Sequence, residues 1–182
     1  MHRGKFLDNL ISVISTCGIA VPSFVICTVL MYFLGVHLKI LPTYGLTSWK
    51  HYVMPVMALS FYPMAYIMRL MRSSMLDVLG QDYMRTCKAK GVSQAVSIFK
   101  HALRNAILPV IPYVGPMLAY TLTGSFVVEK IFTIPGLGGE FIGSISSRDY
   151  TVIMGTTIFL ATLLIIMNVI VDIIYKIVDP RI

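Results

Sequence analysis

The sequence predicts an all-α membrane protein with four transmembrane helices. Hydrophobic residues make up 57% of the 182 positions and charged residues 13%, about half the roughly 25% charged share of a soluble domain. The charges avoid four long runs, 9–36, 52–68, 106–128 and 151–171, which place the spans at about 9–36, 52–72, 106–128 and 151–175. Each is close to the roughly 20 apolar residues that a helix needs to cross the hydrocarbon core. The net charge of +7 points to no nucleic acid, because the basic residues are placed around these segments.

Residues 9–36 carry no charge and are long enough to span with some tilt. The run exceeds the roughly 7–15 apolar residues of a signal peptide and has no small-residue cleavage site at its end, so it is expected to stay as an anchor. Residues 52–68 are short for a span but extend into Arg69 and Arg72 if those side chains snorkel. Pro55 and Pro63 lie within this helix, which is expected to run through Leu79 and stop at Gly80 as a C-cap.

A basic loop, 80–105, follows. Asp82 is expected to N-cap a short helix from Tyr83 to Lys90. Gly91 ends that helix, since glycine readily takes the left-handed conformation needed there. Ser93 then caps a second helix to about Asn105. Val96, Phe99, Leu103 and Ala106 recur on one face at helical spacing, with Lys100 and Arg104 on another. One explanation of the loop is topological, with basic residues retaining it on one side. The capped short helix fits better with a docking element.

The third span carries Pro109, Pro112 and Pro116, which free backbone carbonyls that must find partners inside the membrane. Gly115, Ala119 and Thr123 form a small-residue stripe that permits close helix approach, either within the chain or to a second membrane subunit. A loop over 129–150 follows, with a turn at Ile134-Pro135-Gly136 and a short interfacial or re-entrant piece over 141–145. Asp172 and Lys176, at the end of the last span, are spaced for an i,i+4 pair.

Lys and Arg placement orients the chain. Arg3, Lys5, Arg69, Arg72, Arg85, Lys88, Lys90, Lys100, Arg104, Lys176 and Arg181 fall on one side. Lys39, Lys50, Lys130 and Arg148 fall on the other. Both termini and residues 73–105 are therefore expected in the cytoplasm of a multi-pass protein embedded in membrane lipid.

Several function classes are disfavoured. No Asp, Glu, Lys or Arg is expected deep in a span, which argues against ion-driven secondary transport. No phosphate-binding G-x-x-x-x-G-K-[ST] motif is present, so the chain is not itself an ATPase. Cys17 and Cys27 are about 15 Å apart along one predicted helix, beyond the roughly 7 Å that a disulfide allows. No Cys/His spacing suits a metal. His2, His37, His51 and His101 lie outside the span interiors, and no Ser/His or Asp/Asp pair shares a span usefully, so an intramembrane enzyme is disfavoured. No directly bound cofactor is expected.

The segment "DYMRTCKAKGVSQAVSIFKHALRNAILPVI", residues 82–111, resembles the EAA loop of ABC importer permease subunits, most closely the oligopeptide/dipeptide branch. Gly91 holds the family glycine. Arg85-Thr86-Cys87 stands where Glu-Ala-Ala names the motif, with Cys87 for the usual alanine. "VPSFV" at 21–25, "LPTYG" at 41–45, "EKIFTIPGLGG" at 129–139 and "NVIVDIIYKIVDPRI" at 168–182 are similar to further family segments, and the Asp-Pro-Arg-Ile ending resembles the B-type permease. The resemblance covers nearly the whole chain.

It implies a MetI-like type I ABC importer transmembrane fold that moves substrate, with peptides the expected class, using ATP hydrolysed by partner cytoplasmic ABC ATPase subunits. A second permease subunit and an extracytoplasmic substrate-binding protein are the other implied partners. The implied ATPase-docking residues are Asp82, Tyr83, Arg85, Lys88, Lys90 and Gly91, with Lys100, His101 and Arg104 bracing the segment against the membrane. Tyr113, Tyr120, Thr123 and Ser125 are pathway candidates, with helix packing as their alternative role. Such permeases usually have about six spans. Two are therefore expected to be missing before Met1, whether the chain is a fragment, a truncated frame or a reduced subunit. The rival reading is a non-transporting scaffold, or permease remnant, that recruits a soluble partner through the basic loop.

Overall fold

The computed structural model describes residues 6–178. Arg3, Lys5 and Arg181 of the charge count, His2 and the Asp-Pro-Arg-Ile ending lie outside the described residues. The described residues form ten α-helices and two π-helical turns. Three helical segments are long and apolar enough to cross a membrane, and a bent helix pair makes a fourth candidate.

That bent pair corrects the first expected span. Residues 9–36 do not form one straight helix. α1 (Phe6–Ala20) and α2 (Ser23–Leu30), the latter continued by a π-helical turn (Met31–His37), meet at 104°. The break falls at Val21-Pro22, where Pro22 is extended at φ −60°, ψ 144°. Proline lacks the N–H that an unbroken helix would use there, and it disfavours helical backbone in the residue before it. A count of uncharged residues cannot register such a break.

α3 (Lys50–Leu79) runs for 30 residues through Pro55 and Pro63, with Gly80 as C-cap. α1 lies along it. Arg72 does more than snorkel: its guanidinium grips Asp8 of α1 in a fork, with Nε donating to Oδ1 at 2.7 Å and Nη2 to Oδ2 at 2.9 Å. Gly18 lets α1 approach α3 closely, since a methyl group there would meet Ala65.

The third expected span, 106–128, also breaks. A non-helical turn follows Ala106, α7 occupies Ile111–Thr123, and Gly124 ends it at φ +91°. α8 (Phe126–Phe132) restarts the helix and crosses the expected boundary between span and loop. The prolines explain the late start, because Pro112 sits in the first turn of α7, where its missing N–H costs nothing. α7 packs along α10 (Tyr150–Val178). The small-residue stripe serves that intrachain contact. Ala119 is fully buried, and a methyl group on Gly115 would lie 3.0 Å from Val171 Cγ2.

The 129–150 region is largely helical. α9 (Leu137–Ser147) packs on both α8 and α10. Asp149 starts α10, its Oδ1 accepting from the N–H groups of Thr151 and Val152 at 3.1 Å each. Asp172 and Lys176 are both exposed and make no ion pair among the described residues. At such a site the Coulomb gain barely offsets the entropy of ordering two long side chains. Cys27, Met54, Ala58, Val128 and Phe132 form one buried cluster, where α2, α3 and α8 converge. Cys17, Cys27 and Cys87 are all free thiols.

Candidate functional site

The basic loop is a compact assembly at the end of α3. α4 occupies Asp82–Ala89, one residue earlier than expected at each end. Gln81 holds the cap position with no side-chain bond, so Asp82 is the first helical residue and does not cap. Its carboxylate favours the helix N-terminus through the dipole instead and pairs with Arg85 at 3.5 Å. Both partners are strongly exposed, so the pair adds little stability. Gly91 takes φ +72° with nothing within 4 Å of where a Cβ would stand. Its backbone angle, not crowding, requires glycine. Ser93 Oγ then accepts from the Val96 N–H at 3.5 Å.

The helix after Ser93 departs from simple periodicity. α5 (Gln94–Val96) leads into a π-helical turn (Ser97–Ala102), followed by α6 (Leu103–Ala106). A wider turn shifts the inward face relative to a 3.6-residue repeat. Val96 and Phe99, expected on the packed face, are 44% and 73% exposed. Ala106 is buried as expected, and Ser97 and Ala102 are buried in place of the other two. Ala102 and Ala106 join Met75 in a cluster that also takes in Met71, Leu79, Met84 and Ile98.

α4 is held to this base in two ways. Met84 enters the apolar cluster, and the Tyr83 hydroxyl accepts from Asn105 Nδ2 at 2.8 Å. Arg85, Lys88 and Lys90 remain exposed. Arg85 and Lys88 border a groove of about 710 Å³ that is floored by Leu79, Val92, Ser97 and Ile98. The expected brace of Lys100, His101 and Arg104 is only partly a unit. Arg104 donates through Nε and Nη2 to the Val178 carbonyl at 3.4 and 3.1 Å, so it holds the end of α10. His101 is half-buried and its carbonyl accepts from Asn105 Nδ2 at 3.3 Å, while Lys100 is exposed.

Of the four pathway candidates, two share a site. Tyr120 and Ser125 line a cavity of about 600 Å³ with Pro22, Tyr62, Pro63 and Gly124, where both helix breaks meet α3. Tyr113 lies elsewhere, stacked on Tyr66 with ring centroids 4.3 Å apart. Thr123 turns its hydroxyl to its own helix, donating to the Ala119 carbonyl at 2.8 Å.

Sequence reasoning missed Asn105, Tyr62 and Glu129. Asn105 ends the His-Ala-Leu-Arg-Asn stretch of the basic loop, but nothing local shows its bond across 22 residues. Glu129 falls at the start of the expected 129–150 loop. It is instead a helical residue of α8, buried at 8% exposure, and the neighbouring Pro-Gly-Leu-Gly-Gly is the available signal.

Bent spans, a small helix carrying exposed cations and a cavity at two helix breaks are the features of a multi-pass membrane protein. The chain belongs to the family described as binding-protein-dependent transport system inner membrane component, which matches residues 1–182. It is thus a multi-pass protein of the inner membrane. It is 52% identical over 182 residues to the dipeptide transport system permease protein DppB of Bacillus subtilis (strain 168), covering 100% of this chain and 59% of that protein. It is 45% identical over 181 residues to the protein of the same name from Lactococcus lactis subsp. cremoris (strain MG1363), of which it covers 60%. To the glutathione transport system permease protein GsiC of Escherichia coli (strain K12) it is 40% identical over 180 residues, with 99% of this chain and 59% of that protein covered. The chain therefore spans about three-fifths of the length of these relatives.

Proposed function

We propose that this chain acts within the membrane subunit of an ABC importer for short peptides, driven by ATP hydrolysis in partner cytoplasmic ATPase subunits. A second permease subunit completes the membrane part, and an extracytoplasmic binding protein delivers substrate. In this reading the α4 end faces the cytoplasm, which the basic-residue asymmetry supports. Arg85, Lys88 and Lys90 offer an exposed cationic surface to acidic groups on the ATPase. Peptides are the proposed cargo because the relatives are named for dipeptide and glutathione transport.

The observation that carries the proposal is the connected path leading away from α4. A push on α4 reaches α6 through the Tyr83–Asn105 bond and the Met84 cluster. It continues along the chain to α7 and, through Arg104, reaches the end of α10. Packed elements of this kind move as bodies between discrete states. Inward- and outward-facing arrangements of the cavity at Tyr120 and Ser125 are the proposed states.

The test is Gly91→Val in the full-length subunit, co-expressed with an ABC ATPase and a second permease. Loss of ATPase co-purification and of peptide uptake is expected, because a β-branched residue resists positive φ. Native docking and uptake by the variant would sink the docking assignment. A wild-type subunit that purifies with neither partner would favour the scaffold reading. Uptake of labelled dipeptide, set against a nickel salt in the same vesicles, tests the cargo.

A further inference from the structure

Among the described residues, Glu129 is the buried carboxylate that the proposed mechanism leaves unused. It lies in α8, one turn after Ser125 of the cavity wall, at 8% exposure. A carboxylate removed from water needs hydrogen-bond donors. Its donor is the N–H of Gly139, 2.6 Å from Oε2. Gly136 is the N-cap position of α9, so Gly139 is the third residue of that helix. An N-cap side chain normally accepts from the second or third N–H of its own helix. Gly136 has no side chain to do so, and Glu129 supplies the acceptor from the neighbouring helix. The N-terminal partial charge of α9 favours the anion in this position.

Glycines clear the space around this carboxylate. A methyl group on Gly124 would collide with Glu129 Oε1, and one on Gly136 with the Glu129 carboxyl carbon. A methyl group on Gly138 would lie 3.1 Å from Oε2 and 2.6 Å from the Phe126 backbone nitrogen. Gly124 is also the positive-φ break between α7 and α8 and part of the cavity wall. The carboxylate therefore touches the Gly124 break on one side and the start of α9 on the other. α9 packs on α10 and α10 on α7, which closes a mechanical ring around that break.

We infer that Glu129 is a positioning residue for transport: its carboxylate latches α9 to the Gly124 hinge, so that α9 and the cavity wall move as one piece. This rests on the importer reading, in which α9 lies on the outer side where the binding protein arrives. α8 is only seven residues long and α9 packs against it, but apolar packing alone lets two helices slide, and the carboxylate fixes their register at the first turn of α9. With the latch made, hinge and helix share one motion, and contact at α9 can report the state of the cavity to the rest of the membrane subunit.

The experiment compares Glu129→Ala, Glu129→Gln and Glu129→Asp in the complete importer, reconstituted with its ATPase, second permease and binding protein. Glutamine keeps an oxygen that can accept from Gly139, whereas aspartate is one methylene too short. Glu129→Ala and Glu129→Asp are expected to lower binding-protein-stimulated ATP hydrolysis and dipeptide uptake by about fivefold or more, the equivalent of a lost helix cap. Basal hydrolysis and ATPase co-purification should stay native, and Glu129→Gln should recover most of the stimulation. Native stimulation in Glu129→Ala overturns the latch. So does a parallel loss of basal and stimulated hydrolysis in every assembled variant, which marks a merely structural role. If Glu129→Ala fails to assemble, Glu129→Asp against Glu129→Gln decides in the same way. Loss of ATPase binding by the unmutated subunit would count against the importer reading instead.

Discussion

Gly91 and Gly124 both turn the chain with a positive φ, +72° and +91°, yet their surroundings differ completely. Gly91 faces open space, with nothing within 4 Å of where a methyl group would stand, whereas Gly124 lies against the Glu129 carboxylate. The first glycine is needed for its backbone angle alone, and the second for its angle and its missing side chain together. The difference teaches how the two ends of the molecule are built. The α4 end is small, exposed and held by few contacts, which fits the docking role proposed for it. The α8–α9 end is interlocked, which fits the latch inferred there.

Substitutions at the two turns test this contrast. The largest effect is expected for Gly124→Val, which combines a collision with a strained backbone and should destabilise the subunit by about 3 kcal/mol or more. A large fall in the thermal midpoint of the detergent-solubilised protein would register it. Gly91→Ala meets no neighbour and should cost only about 1 kcal/mol, the penalty of left-handed backbone for an L-residue. Gly91→Asn should cost less, since asparagine tolerates that region. Equal losses at Gly91 and Gly124 would erase the distinction between angle and space.

Smaller still is Tyr83→Phe, which removes the acceptor for Asn105 at an exposed site and should cost about 0.5–1 kcal/mol. A double-mutant cycle with Asn105→Ala should show that the two losses are not additive. Additive losses would mean that α4 is held by Met84 alone. The smallest effect belongs to Ser93→Ala. Its capping bond is long at 3.5 Å, so about 0.5 kcal/mol is expected, read as a slight shift in the same melting curve.

What was legible in the sequence follows from the range of each signal. α3 and α10 are visible because composition over about 20 residues reports burial in lipid directly. Gly91 is visible because its requirement is a property of one residue. Ser93 as a cap is equally local. The 104° bend at Pro22 is hidden inside an uncharged run, although the proline itself is in plain view. The outward turn of Val96 and Phe99 is illegible because helical spacing assumes about 3.6 residues per turn, and Ser97–Ala102 is wound more loosely. Glu129 and Asn105 gain their importance from partners 10 and 22 residues away. Only the fold brings those partners close.

The lengths of α3 and α10 carry one more consequence. At 30 and 29 residues and about 1.5 Å per residue, each extends about 45 Å, against a hydrocarbon core of about 30 Å. Several turns of each must stand clear of the acyl chains or be accommodated by tilt. α4 follows directly on the end of α3, and Arg104 ties its base to the end of α10, so the height of α4 above the lipid follows those two helix ends. Bilayer thickness then becomes a mechanical variable. Lipids with longer tails would draw α4 toward the headgroups and shorten its reach, so on the proposed importer reading, reconstitution across a series of acyl-chain lengths should change ATPase engagement without any change in the protein.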